Sequence, residues 1–313
     1  MSMQKIRICT RQSALALWQA NYVKESLQQQ YPGLVVELHK VVSEGDRTLD
    51  IPLHQAGGKG LFLKELEMAL LEGAADLAVH SMKDVTVNLP DGLTIPVVCP
   101  REDPRDAYVS NHHDSLEEMP EGSIVGTCSL RRVSQLKAAY PHLEFSNLRG
   151  NVHTRLSKLD SGQYDAVILA VAGLKRLDME HRIRQTISPD ICLPAAGQGV
   201  VGIECRAEDE KTRDLISPIN NPDSAFLVAA ERKVNAILNG GCHAPVAVFA
   251  EQWFDRDETK LRLRAMVGEL DGSNLLKSDR IGPYQSGGQL AEEVAGELVD
   301  QGADKILKRF SDV

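Results

Sequence analysis

The 313-residue sequence predicts an α/β protein of doubly wound sheets, followed by an α+β module built on three antiparallel strands. Three observations carry this. Strand-patterned and helix-patterned stretches alternate through most of the chain. Two proline- and glycine-rich stretches, 96–106 and 192–206, punctuate that alternation. The last part changes character, to alternating strands joined by short polar turns.

"KIRICT" reads as a strand. It leads into "SALALWQANYVKESLQQQ", a helix with Ser13 as N-cap and Leu17, Ala20 and Val23 at helical spacing. "LVVELHKVV" is a strand, "LFLKELEMALLEG" a helix stopped by Gly73, and "ADLAVHS" a strand. This order predicts a parallel, doubly wound sheet. Residues 42–60 lack a clear period and read as a lid loop. "PVVCPREDPRD" reads as a linker, after which "GSIVGT", "SLRRVSQLKAAY" and "DAVILAVAGLKRL" resume the alternation. "CLPAAGQGVVGIECR" joins a hinge to a further strand. "NPDSAFLVAAERKVNAILNG" is a helix capped by Asp223 or Ser224 and terminated at Asn239-Gly240. "PVAVFAEQWF", "KLRLRAMVGEL" and "LLKSDRIG" are strands joined by "DRDE" and "DGSN".

The 35 basic and 44 acidic residues leave a net charge of −9, and aromatics make up only 4%. Both count against a nucleic-acid binder. No apolar run is long enough to span a membrane, and "MSMQKIRICTRQ" has no secretory h-region. The six cysteines form no CxxC pair and no metal-ligand spacing with the nine histidines, so a cytoplasmic protein with reduced thiols and no metal is expected.

The average charge hides a reversal. Between Arg131 and Arg184 ten basic residues stand against five acids. Several follow predicted strands, where open α/β sheets bind ligands, and guanidinium groups suit carboxylates and phosphates. For any one arginine a solvated surface position is the plainer reading; for the whole set, a polyanion cleft is. "HSMKD" places Ser81, Lys83 and Asp84 at the carboxyl end of a strand. There a carboxylate accepts a proton or stabilises a developing cation, unless it is merely salt-bridged at the surface. His80 reads as a satisfied core histidine. "GGKG" before a helix is a weak anion-cradle signal and no Walker A loop, lacking Ser or Thr after the lysine. In "LNGGCHAPV", Cys242 follows two glycines that let something bulky approach the thiol, whereas the other five cysteines read as inert core residues. The residues alone take the reading to a reactive or modified thiol near an arginine-rich cleft.

The segments "TRQSALALWQA", "GGKGLFLKELE", "AVHSMKD", "GTCSLRR", "LRGNVHTRL", "LAVAGLKRL", "AAGQGVVGIECR" and "GGCHAPV" closely resemble the porphobilinogen deaminase family, in order and through nearly the whole chain. The resemblance implies two domains similar to type II periplasmic binding proteins plus a C-terminal α+β domain. Their bounds are 1–98 with 199–217 (Asp84 and the lid), 99–198 (the arginine-rich cleft) and 218–313 (Cys242). It implies a dipyrromethane cofactor joined covalently to Cys242. It also implies a transferase of porphyrin and heme biosynthesis that deaminates porphobilinogen and links four units head to tail, releasing hydroxymethylbilane and ammonia.

Carried over by motif, Asp84 holds pyrrole N–H groups and stabilises the cationic intermediate, with Lys83 beside it. Ser81, Lys83, Asp84, Thr127, Ser129, Arg131, Arg132 and Arg155 hold the cofactor. Arg11, Ser13, Arg149 and Arg176 receive substrate, with Gln19, Lys59, Phe62 and Gln198 as further candidates. Three positions depart from the family pattern: Gln55 where a lid lysine is common, Thr86 for a proline, which would loosen the turn behind Asp84, and Cys128 for a serine, which adds an oxidisable thiol. A monomer is expected, with its product handed to the next enzyme of tetrapyrrole synthesis. The rival expectation is a two-lobed solute-binding protein for a polycarboxylate, which explains the hinges and arginines but leaves the thiol without a role.

Overall fold

A computed structural model describes residues 5–42, 63–240, 244–256 and 258–310. The chain starts with β1 (Lys5–Arg11), α1 (Ala14–Gln30), β2 (Val35–Val41), α2 (Lys64–Leu71), β3 (Leu77–Ser81) and β4 (Leu93–Val98). It crosses to β5 (Asp106–Ser110), β6 (Ile124–Gly126), α3 (Leu130–Ala139), β7 (Glu144–Ser146), α4 (Val152–Asp160), β8 (Ala166–Ala170), α5 (Val171–Arg176) and β9 (Gln185–Ile187). It then returns through β10 (Val201–Arg206) to α6 (Glu210–Ile216) and α7 (Pro222–Ile237). It ends with β11 (Val246–Asp255), β12 (Glu258–Gly268), β13 (Leu275–Pro283), α8 (Gly287–Asp300) and α9 (Ala303–Leu307).

These elements form two doubly wound five-stranded sheets and one three-stranded antiparallel sheet, ordered β2-β1-β3-β10-β4, β7-β6-β8-β5-β9 and β11-β12-β13. The parallel, doubly wound pairing expected of the strand–helix–strand runs is present, with β1 parallel to β2 and β3 and β6 parallel to β7 and β8. β10 runs antiparallel to β3 and β4, and β5 runs antiparallel to β8 and β9. Both strands enter their sheet from a crossing segment rather than from a helix packed on it, so the right-handed βαβ rule does not govern them. The proposed linker is also shorter than its prolines implied: β4 runs through Pro96 to Val98 and β5 begins at Asp106. β4 is an edge strand, where a missing N–H is tolerated, and its pairing with β10 is irregular between Ile203 and Cys205.

Local signals place several elements. Ser13 caps α1 by accepting from Ala16 N at 3.3 Å. α7 is capped by Asn221, which accepts from Ser224 N at 2.8 Å, and not by Asp223 or Ser224, because Pro222 takes the first helical position. The far end of α7 closes with Asn239 in the left-handed region (φ 50).

Both crossings pack against α7. Glu231, fully buried on that helix, accepts from Arg101 Nη1 and Nη2 at 2.8 and 2.7 Å, from Gly197 N at 2.7 Å and from Ala250 N at 2.8 Å. One carboxylate thus joins the outgoing crossing, the returning crossing and the antiparallel sheet. The returning crossing must be glycine at two points. Gly197 (φ 72) would bring a Cβ within 2.8 Å of Met82 Cβ, and Gly199 (φ 85) within 2.4 Å of Glu102 O.

Candidate functional site

One cavity of about 1120 Å³ opens where the three sheets' units meet. β3 delivers its floor. After Ser81 the chain makes a 3-10 turn, Met82–Asp84, pinned by Met82 N donating to Val200 O at 2.9 Å and Val85 N donating to Met82 O at 3.2 Å. Met82 is buried against Val85, Val98, Val200 and Val228, so the flanking Lys83 and Asp84 line the cavity. Arg11 and Ser13 enter from the end of β1 and the start of α1. Ser129 heads α3 without a side-chain cap bond, and Arg149 and Arg155 arrive around the start of α4. Arg155 Nε donates to Gly150 O at 2.8 Å, and its Nη2 lies 3.8 Å from Cys128 Sγ. Arg176 donates to Gly199 O at 2.7 Å and stacks 5.4 Å over the Trp18 ring, joining α5, the returning crossing and α1.

Arg131 and Arg132 are held from behind by Asp106, a residue sequence reasoning passed over. Arg131 Nη1 donates to Asp106 Oδ2 at 2.7 Å, Arg132 Nη2 to Oδ1 at 2.6 Å, and Gln198 Nε2 to Oδ1 at 2.9 Å. Burial alone would raise the Asp106 carboxyl, but the two guanidinium groups override it and hold it far below the usual carboxylate range. The carboxylate cancels one of two positive charges and orients both forks, leaving the cluster net cationic toward the cavity. Within the signal "REDPRD" this acid looked like one more surface charge.

Lys83 is pushed down to about 8: burial dominates and the nearby Arg132 and Arg131 add to it, while Asp84 and Asp106 oppose the shift. The group is cationic below that pH and neutral above it, so its attraction for anions fades as pH rises. The kcat/KM for an anionic substrate is therefore expected to fall as pH rises through about 8. In Lys83→Arg this limb should vanish, and a pH–rate profile of both proteins checks it.

Arg11, Ser13, Ser81, Lys83, Asp84, Ser129, Arg131, Arg132, Arg149, Arg155, Arg176 and Gln198 all line the one cavity. Gln19 and Thr127 are buried behind it. Gln19 Nε2 donates to Ser81 Oγ at 2.8 Å, and Thr127 Oγ1 accepts from Ser129 N at 3.2 Å. Cys242, Lys59, Phe62, Gln55 and the lid loop beyond Val42 lie outside the described residues, although Gly240 and Ala244 both line the cavity. The basic run of the sequence is split: Lys175 pairs with Glu102 at 2.8 Å, and Arg182 with Asp160 at 2.6 Å, away from the site. His80 is a satisfied core residue, 2.8 Å from the buried Glu204. Thr86 is tied down by two hydrogen bonds. Its hydroxyl donates to Asn88 O at 2.7 Å, and its carbonyl accepts from Arg232.

Among the described lining residues eight are cationic and only Glu67 and Asp84 are acidic, which selects a polyanion. Among the described residues two of those lining the cavity carry a buried atom without a partner, the donor Arg132 Nε and the acceptor Asn235 Oδ1. Among the described residues no His, Cys, Asp and Glu group is placed to hold a metal, and no helix is long and apolar enough to cross a membrane.

Among solved structures the chain is similar to the lipoprotein Tp32 from Treponema pallidum (11% identity, 71% of this chain and 92% of that chain, TM-score 0.46). It is similar to a nutrient binding protein from Burkholderia cenocepacia bound to methionine (12%, 70% and 93%, 0.44). It is also similar to the periplasmic VFT2 domain of Bordetella pertussis BvgS (15%, 72% and 93%, 0.42). The family model described as porphobilinogen deaminase, dipyrromethane cofactor binding domain, matches residues 6–214. The model of the porphobilinogen deaminase C-terminal domain matches residues 225–300. Matched by both models over most of its length, the chain belongs to the porphobilinogen deaminase family of transferases.

Proposed function

We propose that this chain is a hydroxymethylbilane synthase. It deaminates four molecules of porphobilinogen in turn and joins them head to tail on a dipyrromethane primer held through a thioether at Cys242. Hydrolysis then releases the linear tetrapyrrole, with one ammonia lost for each unit added. The observation that carries the reading is the single cavity in which eight cationic side chains surround Asp84, with Gly240 and Ala244 at its wall. Each pyrrole ring of primer and substrate brings an acetate, a propionate and an N–H. The orphaned Arg132 Nε and Asn235 Oδ1 match that pairing of acceptors and donors.

The tethered dipyrromethane, when bound, supplies the carbon nucleophile. Arg131, Arg132 and Arg155, with Ser81, Lys83, Thr127 and Ser129, would hold its carboxylates and rings. Arg11, Ser13, Arg149 and Arg176 would receive the incoming porphobilinogen, with Gln198, Lys59, Phe62 and, from behind Ser81, Gln19 as further candidates. Bidentate guanidinium contacts fix both position and orientation, which is most of what a condensation between two bound rings requires. Asp84 would accept the substrate's pyrrole N–H and stabilise the positive charge that develops as the aminomethyl nitrogen departs as ammonia. The sheets support the division into 1–98 with 199–217, 99–198 and 218–313, since β10 pairs with β3 and β4. A monomer, and transfer of the product to the next enzyme of tetrapyrrole synthesis, complete the reading.

Purified protein given porphobilinogen is expected to release four ammonia molecules for every hydroxymethylbilane. Porphobilinogen bound without ammonia release would overturn the assignment and leave a polycarboxylate binder.

A further inference from the structure

α7 is fixed to β4 and the outgoing crossing near its N-terminus. Asn221 N donates to Val98 O at 2.8 Å, Val98 N to Asn220 Oδ1 at 2.9 Å, and Arg101 N to Ser224 Oγ at 3.0 Å. About 12 Å further along the helix axis a second attachment appears. The guanidinium of Arg232 donates to three consecutive backbone carbonyls: Val85 O at 3.2 Å, Thr86 O at 2.7 Å and Val87 O at 3.3 Å. Those carbonyls belong to the segment directly after Asp84, and Val85, Thr86 and Val87 line the cavity themselves.

We propose that Arg232 is a positioning residue that locks the segment carrying Asp84 onto the helix leading to Cys242, and so fixes the carboxylate's place in the cavity. The inference rests on the proposed function and adds a residue to it. Three features of the geometry support it. A planar fork is the side chain able to serve three adjacent carbonyls at once, which a lysine ammonium cannot do with the same rigidity. The helix beyond Arg232 also faces the cavity through Asn235 and Ala236, as does Asn239 just past its end. In addition, Thr86 is held from two sides, its Oγ1 donating to Asn88 O and its carbonyl accepting from Arg232. The three bonds from Arg232 end on the backbone of the segment that directly follows Asp84, so through them the side chain acts on the reaction by way of Asp84.

The test compares wild type, Arg232→Gln and Arg232→Lys, each counted per primer-loaded molecule by intact mass, with deuterium exchange of the peptide spanning 82–92 as a readout independent of activity. A displacement of reacting groups by about 1 Å costs on the order of 100-fold, so kcat in Arg232→Gln is expected to fall roughly 10- to 100-fold while KM changes less than about threefold. Exchange in the 82–92 peptide should rise in Arg232→Gln. Arg232→Lys, which keeps the charge but serves fewer carbonyls, should fall between the two proteins in both readouts. An unchanged kcat in Arg232→Gln would overturn the inference. So would equal losses in both variants with exchange of 82–92 as in wild type. Failure of wild type to release ammonia from porphobilinogen would instead count against the proposed function, and the exchange measurement would still decide whether Arg232 anchors the segment.

Discussion

Asp84→Ala is expected to lower turnover of porphobilinogen by about 10²–10⁴-fold and to leave the melting temperature within a few degrees of wild type. The magnitude follows from the charges at the site. A carboxylate about 4 Å from a developing cation, at an effective dielectric of about 20, is worth about 4 kcal/mol, or roughly three decades in rate. Almost every other charge on the cavity wall has the wrong sign for that task. The eight cations that line the cavity would raise the barrier to cation formation if Asp84 were absent. The fold should survive because the turn is set by its neighbours: the buried Met82, the bond from Met82 N to Val200 O, and the carbonyls held by Arg232. Asp84→Asn keeps an acceptor for the pyrrole N–H without the charge, and should fall between wild type and Asp84→Ala. Single-turnover ammonia release with a thermal melt checks both points. A rate within about threefold of wild type would remove Asp84 from the chemistry.

Asp106→Ala should act mainly on stability, and strongly. Asp106 is fully buried, and both Arg131 and Arg132 donate to it from buried positions. Removing one partner of such a cluster leaves uncompensated charge in the interior, at a cost of about 3–5 kcal/mol. For a chain of this size that is a fall in melting temperature of roughly 5–8 °C. The variant is also expected to bind anionic substrate poorly, because the two forks lose the group that orients them. The pH dependence provides an internal check. The Asp106 carboxyl is held below its unfolded value, so its contribution is fully present at neutral pH and is lost as pH falls below about 4. The melting temperatures of wild type and Asp106→Ala should therefore converge in acid. A constant gap down to low pH would show that packing, and not charge, explains the difference.

Much of the site was readable because its residues sit where local sequence patterns end. An apolar strand running into "HSMKD" places Lys83 and Asp84 at a strand's carboxyl end whatever the rest of the chain does. Ser13 ahead of a helical repeat identifies its own cap. What was not readable depends on distant partners. β10 pairs Val201 with Ser81 in the first sheet, although the whole second sheet lies between them in sequence, and no local period announces that. Asp106 opens a short strand but sits in a run of alternating charges, where an acid normally means surface. Its importance comes from burial under two arginines more than twenty positions away. Pro96 argued for a linker because it cannot donate to a ladder, yet an edge strand does not need that bond. Pro222 could have corrected the helix cap from sequence alone, since proline favours the first helical turn and so points to Asn221 as the cap. Arg232 had no signal, because the backbone carbonyls of Val85, Thr86 and Val87 to which it donates leave no pattern in the sequence.

The mass of the intact purified protein tests the central claim most directly, that one thiol anchors a growing polyanion inside the arginine-rich cavity. The account predicts a protein heavier than its sequence by two linked pyrrole units, and the loss of that increment together with turnover in Cys242→Ser. Active protein whose mass equals that of the bare sequence would contradict it.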